Sequence, residues 1–557
     1  VVFIKRNSKY YKRVITDFAD VRWFGAKGDG VDSGIGNYDG DHAAINLALR
    51  LCKKVKLQDG IFIVKKPIVL NDGNELFISS DAVLKLGDAS NCTLLKNSHV
   101  DILTDNLGNP TYPTGFKRHS NIRVINEGLI DCNGWMQNRA NDVTLVKDNP
   151  DVINTPFFRD NPNHEYIGFA IKFADIDNFY LKGGRIKNPR TYGCLFAGLR
   201  NYLIEDIVAD RTYRVVNQDF MHFHGDCYDG EIKNIYGVSG DDFISVTTRE
   251  AGLLTLRSGN FKRLKISQVY YFGVDPTSSP TNQKEMSPLG IESGFKSHRF
   301  LRLSYSGNDI IDDITIKDIY CTKSVNFCPI VLSKLPFEAG STDAEKYAGT
   351  GYIGKVTVDN LVQDDSSGIV GTSDYTIIKE LNLLNIIDNR LTENDGRSII
   401  AENEDFLGSN PDFTHSKIER LNIFNFTSIL GAVYPSLPYI KWRGEITNCN
   451  VDNFKVKSAE GTSGYVDSFI SSNVKRMWLT NSSLTRYNKV FNLTNTDCIL
   501  KESNCIYLAS NVESQVFLQA SSNTLILNDN SLAPYIGMMA LSTTGMKIYK
   551  STGWELI

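Results

Sequence analysis

Ile204-Glu-Asp-Ile207 and Ile232-Lys-Asn-Ile235 share one pattern: an apolar residue, two polar residues and a second apolar residue, closing a short alternating strand. It returns at Ile266-Ser-Gln-Val269, Ile316-Lys-Asp-Ile319, Val358-Asp-Asn-Leu361, Ile423-Phe-Asn-Phe426 and Val451-Asp-Asn-Phe454, and continues less cleanly at Leu479 and Leu527. Neighbouring starts 28 and 34 residues apart fit one coil of a solenoid each, and longer gaps fit doubled or expanded coils. One coil cannot bury its inner face alone, so stacking on its neighbours builds a continuous core. Asn tolerates a left-handed turn and can ladder its amide with the coil above. Helical repeats would show a 3.6-residue period, and propellers or leucine-rich horseshoes have tighter periods and signatures of their own; none is present. The reading is all-β, a right-handed parallel β-helix.

Composition agrees with one long repeat. At 557 residues the chain exceeds what a single compact core needs, and 41% hydrophobic with 22% charged residues is ordinary for a folded protein and leaves no room for long disorder. The net charge of -4 is too small to steer the chain onto nucleic acid or an anionic membrane. No apolar run reaches the ~20 residues of a membrane span, and no signal peptide opens the chain. The chain begins at Val1, and a preceding part with its own function is expected. Ten cysteines are scattered without CxxC pairs or finger-like His spacing, which reads as buried free thiols made in a reducing cytoplasm rather than zinc sites or a disulfide scaffold.

The spacing predicts one helix from Asp41 to about Lys54, with Ala44, Ile45, Ala48, Leu49 and Cys52 on one face and Asp41 as N-cap, plugging the open end of the solenoid. Before it stands Phe24-Gly-Ala-Lys-Gly-Asp-Gly-Val-Asp32. Here the chain resembles the pectate-lyase-like β-helix superfamily, whose chains commonly open on such a turn followed by a capping helix. The ending, Tyr535-Ile-Gly-Met-Met through Ile548-Tyr-Lys-Ser-Thr-Gly-Trp-Glu-Leu-Ile557, looks like the ends of phage tail fibres and tailspikes, where an apolar strand precedes a Gly-Trp hairpin. Together the two ends resemble viral tailspikes. That resemblance implies a homotrimer in the virion, joined to other phage tail proteins through a missing N-terminal part, that binds and cleaves bacterial surface polysaccharide. The expected organisation is a cap over residues 1–55, a catalytic β-helix over 56–508 and a β-rich trimerisation region over 509–557.

The densest functional patch is Asn217-Gln-Asp219, then Phe220-Met-His222-Phe-His224-Gly225, then Ser239-Gly-Asp241-Asp242-Phe-Ile-Ser245. Asp241 follows Asp219 by 22 residues, about one coil, so the acids meet across adjacent strands. Carboxylates crowded in this way repel, and one of a set keeps a proton beside an ionised partner. Alternation places Ile244 and Val246 inside and Asp241, Phe243 and Ser245 outside. The patch resembles the Asn-Thr-Asp and Gly-Asp-Asp motifs of polygalacturonase-type glycoside hydrolases. The resemblance implies inversion, with one of Asp219, Asp241 and Asp242 protonating the glycosidic oxygen while the others activate water across a wide carboxylate gap; Asp241 is the expected acid. The Gly-His-Gly and Arg-Ile-Lys motifs that follow in that family are missing here, and Gln218 replaces a threonine. The alternative is that these acids are polar turn tips.

His222 and His224 share a strand face without a third ligand, so no metal is expected; they read as rings lining the groove, one of them able to orient an acid. A Pro/Ser/Thr-rich interruption after Val269 reads as a binding loop, with Tyr270 and Tyr271 to stack on sugars, Lys296, His298 and Arg299 to hold acidic groups, and Glu292 as a reserve acid or an ordinary surface glutamate. Arg249 is read as a clamp for an acidic sugar or a surface ion pair. The leading function is hydrolysis of capsular or O-antigen polysaccharide without a cofactor. The alternatives are a lyase acting by β-elimination, with His222 or His224 as base beside Arg249, and a receptor-binding tail protein that holds glycan without cutting it.

Overall fold

The computed structural model describes residues 3–12, 14–15, 17–31, 40–105, 109–137, 170–190, 192–210, 219–249, 256–272, 299–322, 328–336, 347–364, 368–390, 400–402, 415–430, 440–458, 466–485, 487–493, 499–503 and 506–508, with short strands at 518–519, 525–528, 539–542, 545–550 and 553–556. The chain is a right-handed parallel β-helix, divided into two compact units: Val1–Tyr270 with Val274–Ser297, and Tyr271–Gly273 with His298–Ile557.

In the first unit the helix α1, His42–Leu51, packs its buried face of His42, Ala44, Ile45, Ala48 and Leu49 against the Val21–Phe24 turn and the strands Lys54–Leu57 and Ile68–Val69. Cys52 follows it as the C-cap. Asp41 is the N-cap residue as expected, but its side chain makes no cap hydrogen bond to the helix and instead accepts from the backbone N–H groups of Lys27 (2.6 Å) and Gly28 (3.4 Å). The carboxylate ties down the glycine turn, whose Gly28 sits at φ 61° with the Phe62 ring where a Cβ would be.

Five strands of this unit frame the site: β1 (Leu95–Lys96), β2 (Ile171–Lys182), β3 (Cys194–Asp210), β4 (Met221–His224) and, after Cys227–Gly237 (β5), β6 (Ile244–Thr247). Each ladder is parallel, and the register runs Ile171↔Cys194↔Met221↔Ile244 from coil to coil. In the second unit the strands Ile310–Thr322, Tyr352–Asp364, Ile377–Arg390, Lys417–Leu430 and Ile440–Ser458 stack in the same way. Its last described strands, Met539–Ser542, Gly545–Lys550 and Gly553–Leu556, turn antiparallel, with Tyr549 opposite Trp554.

The repeated four-residue pattern is the corner of each coil. Its second polar residue adopts a left-handed conformation at Asp206, Asn234, Gln268, Asp318, Asn360, Asn425 and Asn453, with φ between 53° and 60°. The flanking apolar residues, from Ile204 and Ile207 to Val451 and Phe454, are buried. Each such side chain contributes about 1.5–3 kcal/mol of burial, which sets the corner's phase. The asparagines ladder as expected: Asn453 donates to Asn425 (2.8 Å) and Asn425 to Asn385 (3.0 Å), while at another corner Asn201 donates to Asn178 (2.6 Å). The eight described cysteines are free thiols; six are buried and Cys52 and Cys92 half-buried.

Candidate functional site

The three acids come together. Oxygens of Asp219, Asp241 and Asp242 all lie within 4.8 Å of one another, with Asp219 and Asp242 buried and Asp241 half-buried. The backbone explains the meeting: Phe220 N–H donates to Asp242 C=O (3.0 Å) and Met221 N–H to Phe243 C=O (3.0 Å), so the parallel register pairs Phe220 with Phe243 and Asp219 with Asp242. The coil is thus 23 residues long here, one more than the spacing of Asp219 and Asp241, and Asp241 sits one position before its neighbour's level. Ser239 Oγ donates to the Asp241 carbonyl (2.6 Å) and fixes the turn that delivers the pair. Among the described residues this is the one grouping of three or more acids, histidines or cysteines tight enough to share an ion; an acidic cluster is common without one and assigns no metal.

Alternation misplaces two neighbours. Phe243 and Ser245, both expected on the outer face, are fully buried, and Phe243 stacks on Phe220 with ring centroids 5.5 Å apart.

His222 and His224 are not open groove rings. Both are buried, His222 at 2% exposure. His222 Nδ1 lies 3.0 Å from Asp219 Oδ2, at an oblique angle that makes the contact one of charge more than a linear hydrogen bond. Its Nε2 is 3.1 Å from Thr247 Oγ1. His224 Nδ1 accepts the Leu256 N–H (2.9 Å), so it is a neutral ring with its proton on Nε2, and its edge meets His222 at 4.9 Å. Tyr192, in register with Asp219, meets His222 edge-on at 5.8 Å. Ser245 pairs with His222 in the ladder and is wholly buried, and its Oγ has no partner among the described residues. Thr247 and Tyr192 carry no motif, and Ser245 only closes the Gly-Asp-Asp stretch. Only the register exposes them.

The remaining candidates scatter. Arg249 is half-buried just past the end of β6, at the opposite end of that strand from Asp241 and Asp242. Tyr270 is half-exposed beside Tyr236 (6.5 Å) and lies beyond the left-handed corner at Gln268, so it faces a different side of the coil from β6. Tyr271 is corrected: at 0% exposure it packs in the core of the second unit near Phe300, where strand alternation turns it inward, and it offers no face to a sugar. Arg299 is buried. Glu292, Lys296 and His298, with Asn217 and Gln218, lie outside the described residues.

A second polar centre stands at the far edge of β2. Asp175, buried and left-handed, takes Arg257 Nε (2.9 Å) and Nη2 (2.5 Å) and the Tyr112 hydroxyl (3.0 Å), with Arg118 at 3.5 Å. Next to it His99 and His119 stack at 3.7 Å. Desolvation lowers the pKa of both rings, that of His119 to about 4, and burial pushes Tyr112 up to about 12.

No protein-family model matches this chain, and no curated protein matches it in sequence. In fold it is similar to a family 28 exopolygalacturonase from Yersinia enterocolitica, at 14% identity over 93% of this chain and 79% of that one, TM-score 0.49. It is also similar to the mannuronan C-5 epimerase A-module of Azotobacter vinelandii, at 12% identity over 88% and 99% of the two chains, TM-score 0.45. A third is the surface adhesin PfbA of Streptococcus pneumoniae, at 11% identity over 97% and 100%, TM-score 0.39. Fold alone does not imply function, so the functional reading rests on the site.

Proposed function

We propose that this chain is a polysaccharide depolymerase that hydrolyses glycosidic bonds with Asp219, Asp241 and Asp242. The observation that carries the reading is the convergence of three carboxylates from adjacent coils within 4.8 Å, a closer set than the wide gap expected from the polygalacturonase resemblance. In the proposed step Asp241, the most exposed of the three, gives its proton to the glycosidic oxygen as the C–O bond breaks. An ionised partner takes a proton from the water whose oxygen bonds to the anomeric carbon. Both protons and the new bond are then accounted for without a cofactor.

The β-elimination alternative needs an accessible base. His222 is engaged by Asp219 and Thr247, and His224 by Leu256, which disfavours either as that base. The finer part of the proposal is a phage tailspike, a homotrimer in the virion that acts on a bacterial capsular or O-antigen polysaccharide and joins other tail proteins through a preceding segment. Its support is the Phe24–Gly30 turn, the capping helix and the antiparallel Gly-Trp ending.

Incubation of purified capsular polysaccharide with the protein is expected to release new reducing ends, without near-ultraviolet absorbance from an unsaturated uronate. Appearance of that absorbance would establish the lyase instead. Asp241→Asn is expected to abolish cleavage and leave glycan binding intact; activity that survives the change refutes the assignment.

A further inference from the structure

We infer that His222 is a positioning residue: an imidazole protonated on Nδ1 and held by Thr247, which keeps Asp219 ionised and in place as the base of the proposed hydrolysis. The inference rests on that reading of the three acids and adds the division of labour among them.

Thr247 Oγ1 lies 3.1 Å from His222 Nε2 and 3.5 Å from the Phe223 carbonyl. The hydroxyl donates to Nε2, or it donates to Phe223 and accepts from Nε2–H; either way the ring is held. Nδ1 stands 3.0 Å from Asp219 Oδ2. Without a proton on Nδ1, a nitrogen lone pair would stand against a carboxylate oxygen at that distance, which is repulsive. Buried at 2% exposure, the ring is fixed from both ends.

An N–H dipole or charge 3.0 Å from a buried carboxylate oxygen favours its charged form, even at an oblique angle. Asp219 therefore holds the negative charge, and Asp241 is left as the proposed acid. Its proton is the one the leaving oxygen requires. The groups facing His222 are Asp219, the Asp241 and Asp242 pair beyond it, His224 at its edge and Tyr192. Lys172 lies two strands away in the same ladder row. His224 is itself neutral, so it adds no charge to the ring.

The ring's state is readable without turnover. In protein carrying 15N-histidine, the resonances lost in His222→Gln are those of this ring. They are expected to show a proton on Nδ1 at neutral pH, and the Nε2–H tautomer with a bare Nδ1 overturns the inference. Where polymer is cleaved, His222→Ala is expected to lower kcat on the order of 100-fold with KM unchanged. His222→Asn, whose side-chain N–H falls near Nδ1, is expected to restore part of that loss. Equal activity of all three proteins would also overturn it. A chain that cleaves nothing would overturn the hydrolase reading, while the resonances still report on His222.

Discussion

Tyr202 shows how tightly a single residue is fixed between coils. Its ring packs on Phe223 at 5.8 Å in the interior and lies over Gly230, where any Cβ would stand 2.1 Å from the ring. Its hydroxyl is buried and has no hydrogen-bond partner among the described residues. An unsatisfied buried hydroxyl costs about 1–3 kcal/mol, so Tyr202→Phe is expected to stabilise the chain by about 1 kcal/mol in chemical denaturation. Gly230→Ala drives a methyl into the ring and is expected to destabilise it by about 1–3 kcal/mol. A Tyr202→Phe protein less stable than its parent would show that the hydroxyl is satisfied in solution.

Among elements, the coil corners and the segment from Asn97 to Ser120 differ in what holds them. At a corner, Asn425 combines a left-handed φ of 57° with ladder bonds to Asn385 and Asn453. Asn425→Ala gives up both bonds and strains the backbone, for an expected loss of about 2 kcal/mol, whereas Asn425→Gly keeps the conformation and is expected to lose less. Equal losses would mean that the amide, not the backbone, does the holding. The Asn97 to Ser120 segment instead rests on the stacked His99 and His119 rings beside Asp175 and Arg257. Desolvation holds the folded pKa of His119 near 4, below its unfolded value of 6.5, while His99 and Lys53 add positive charge and Asp72 and Asp175 partly offset it. The unfolded ring thus binds the proton first. This contribution to stability is complete above about pH 6.5 and is lost as pH falls toward 4. Thermal melts at pH 7.5, 5.5 and 4.5 should fall steadily, and His119→Gln should flatten that fall; an unchanged slope would move the cause elsewhere.

Across the whole molecule, each coil's contacts are with its neighbours, so stability accumulates coil by coil and the exposed ends are the vulnerable places. The proposed trimer belongs to this scale. Light scattering is expected to give three times the 62.3 kDa chain mass, and removal of residues 509–557 to give single chains. Trimers that persist without those residues would place the association elsewhere.

The amino-acid sequence alone determined the coil and its corners, because both are local. A left-handed corner wants Asn, Asp or a tolerant residue between apolar neighbours, and the pattern at Ile204, Ile232 and Val451 states that directly. The same period foretold that Asp219 meets the Asp241 and Asp242 pair. Only the tertiary structure decided the rest. A ladder offset of one residue pairs Asp219 with Asp242, and that offset is set by backbone hydrogen bonds between coils. It also decided that the Asp41 side chain holds the glycine turn and makes no cap bond, that Tyr271 turns into the core, and that Thr247, His222 and Asp219 line up. These depend on side-chain rotamers, some of them set by residues in the next coil, and such contacts leave no period in the chain.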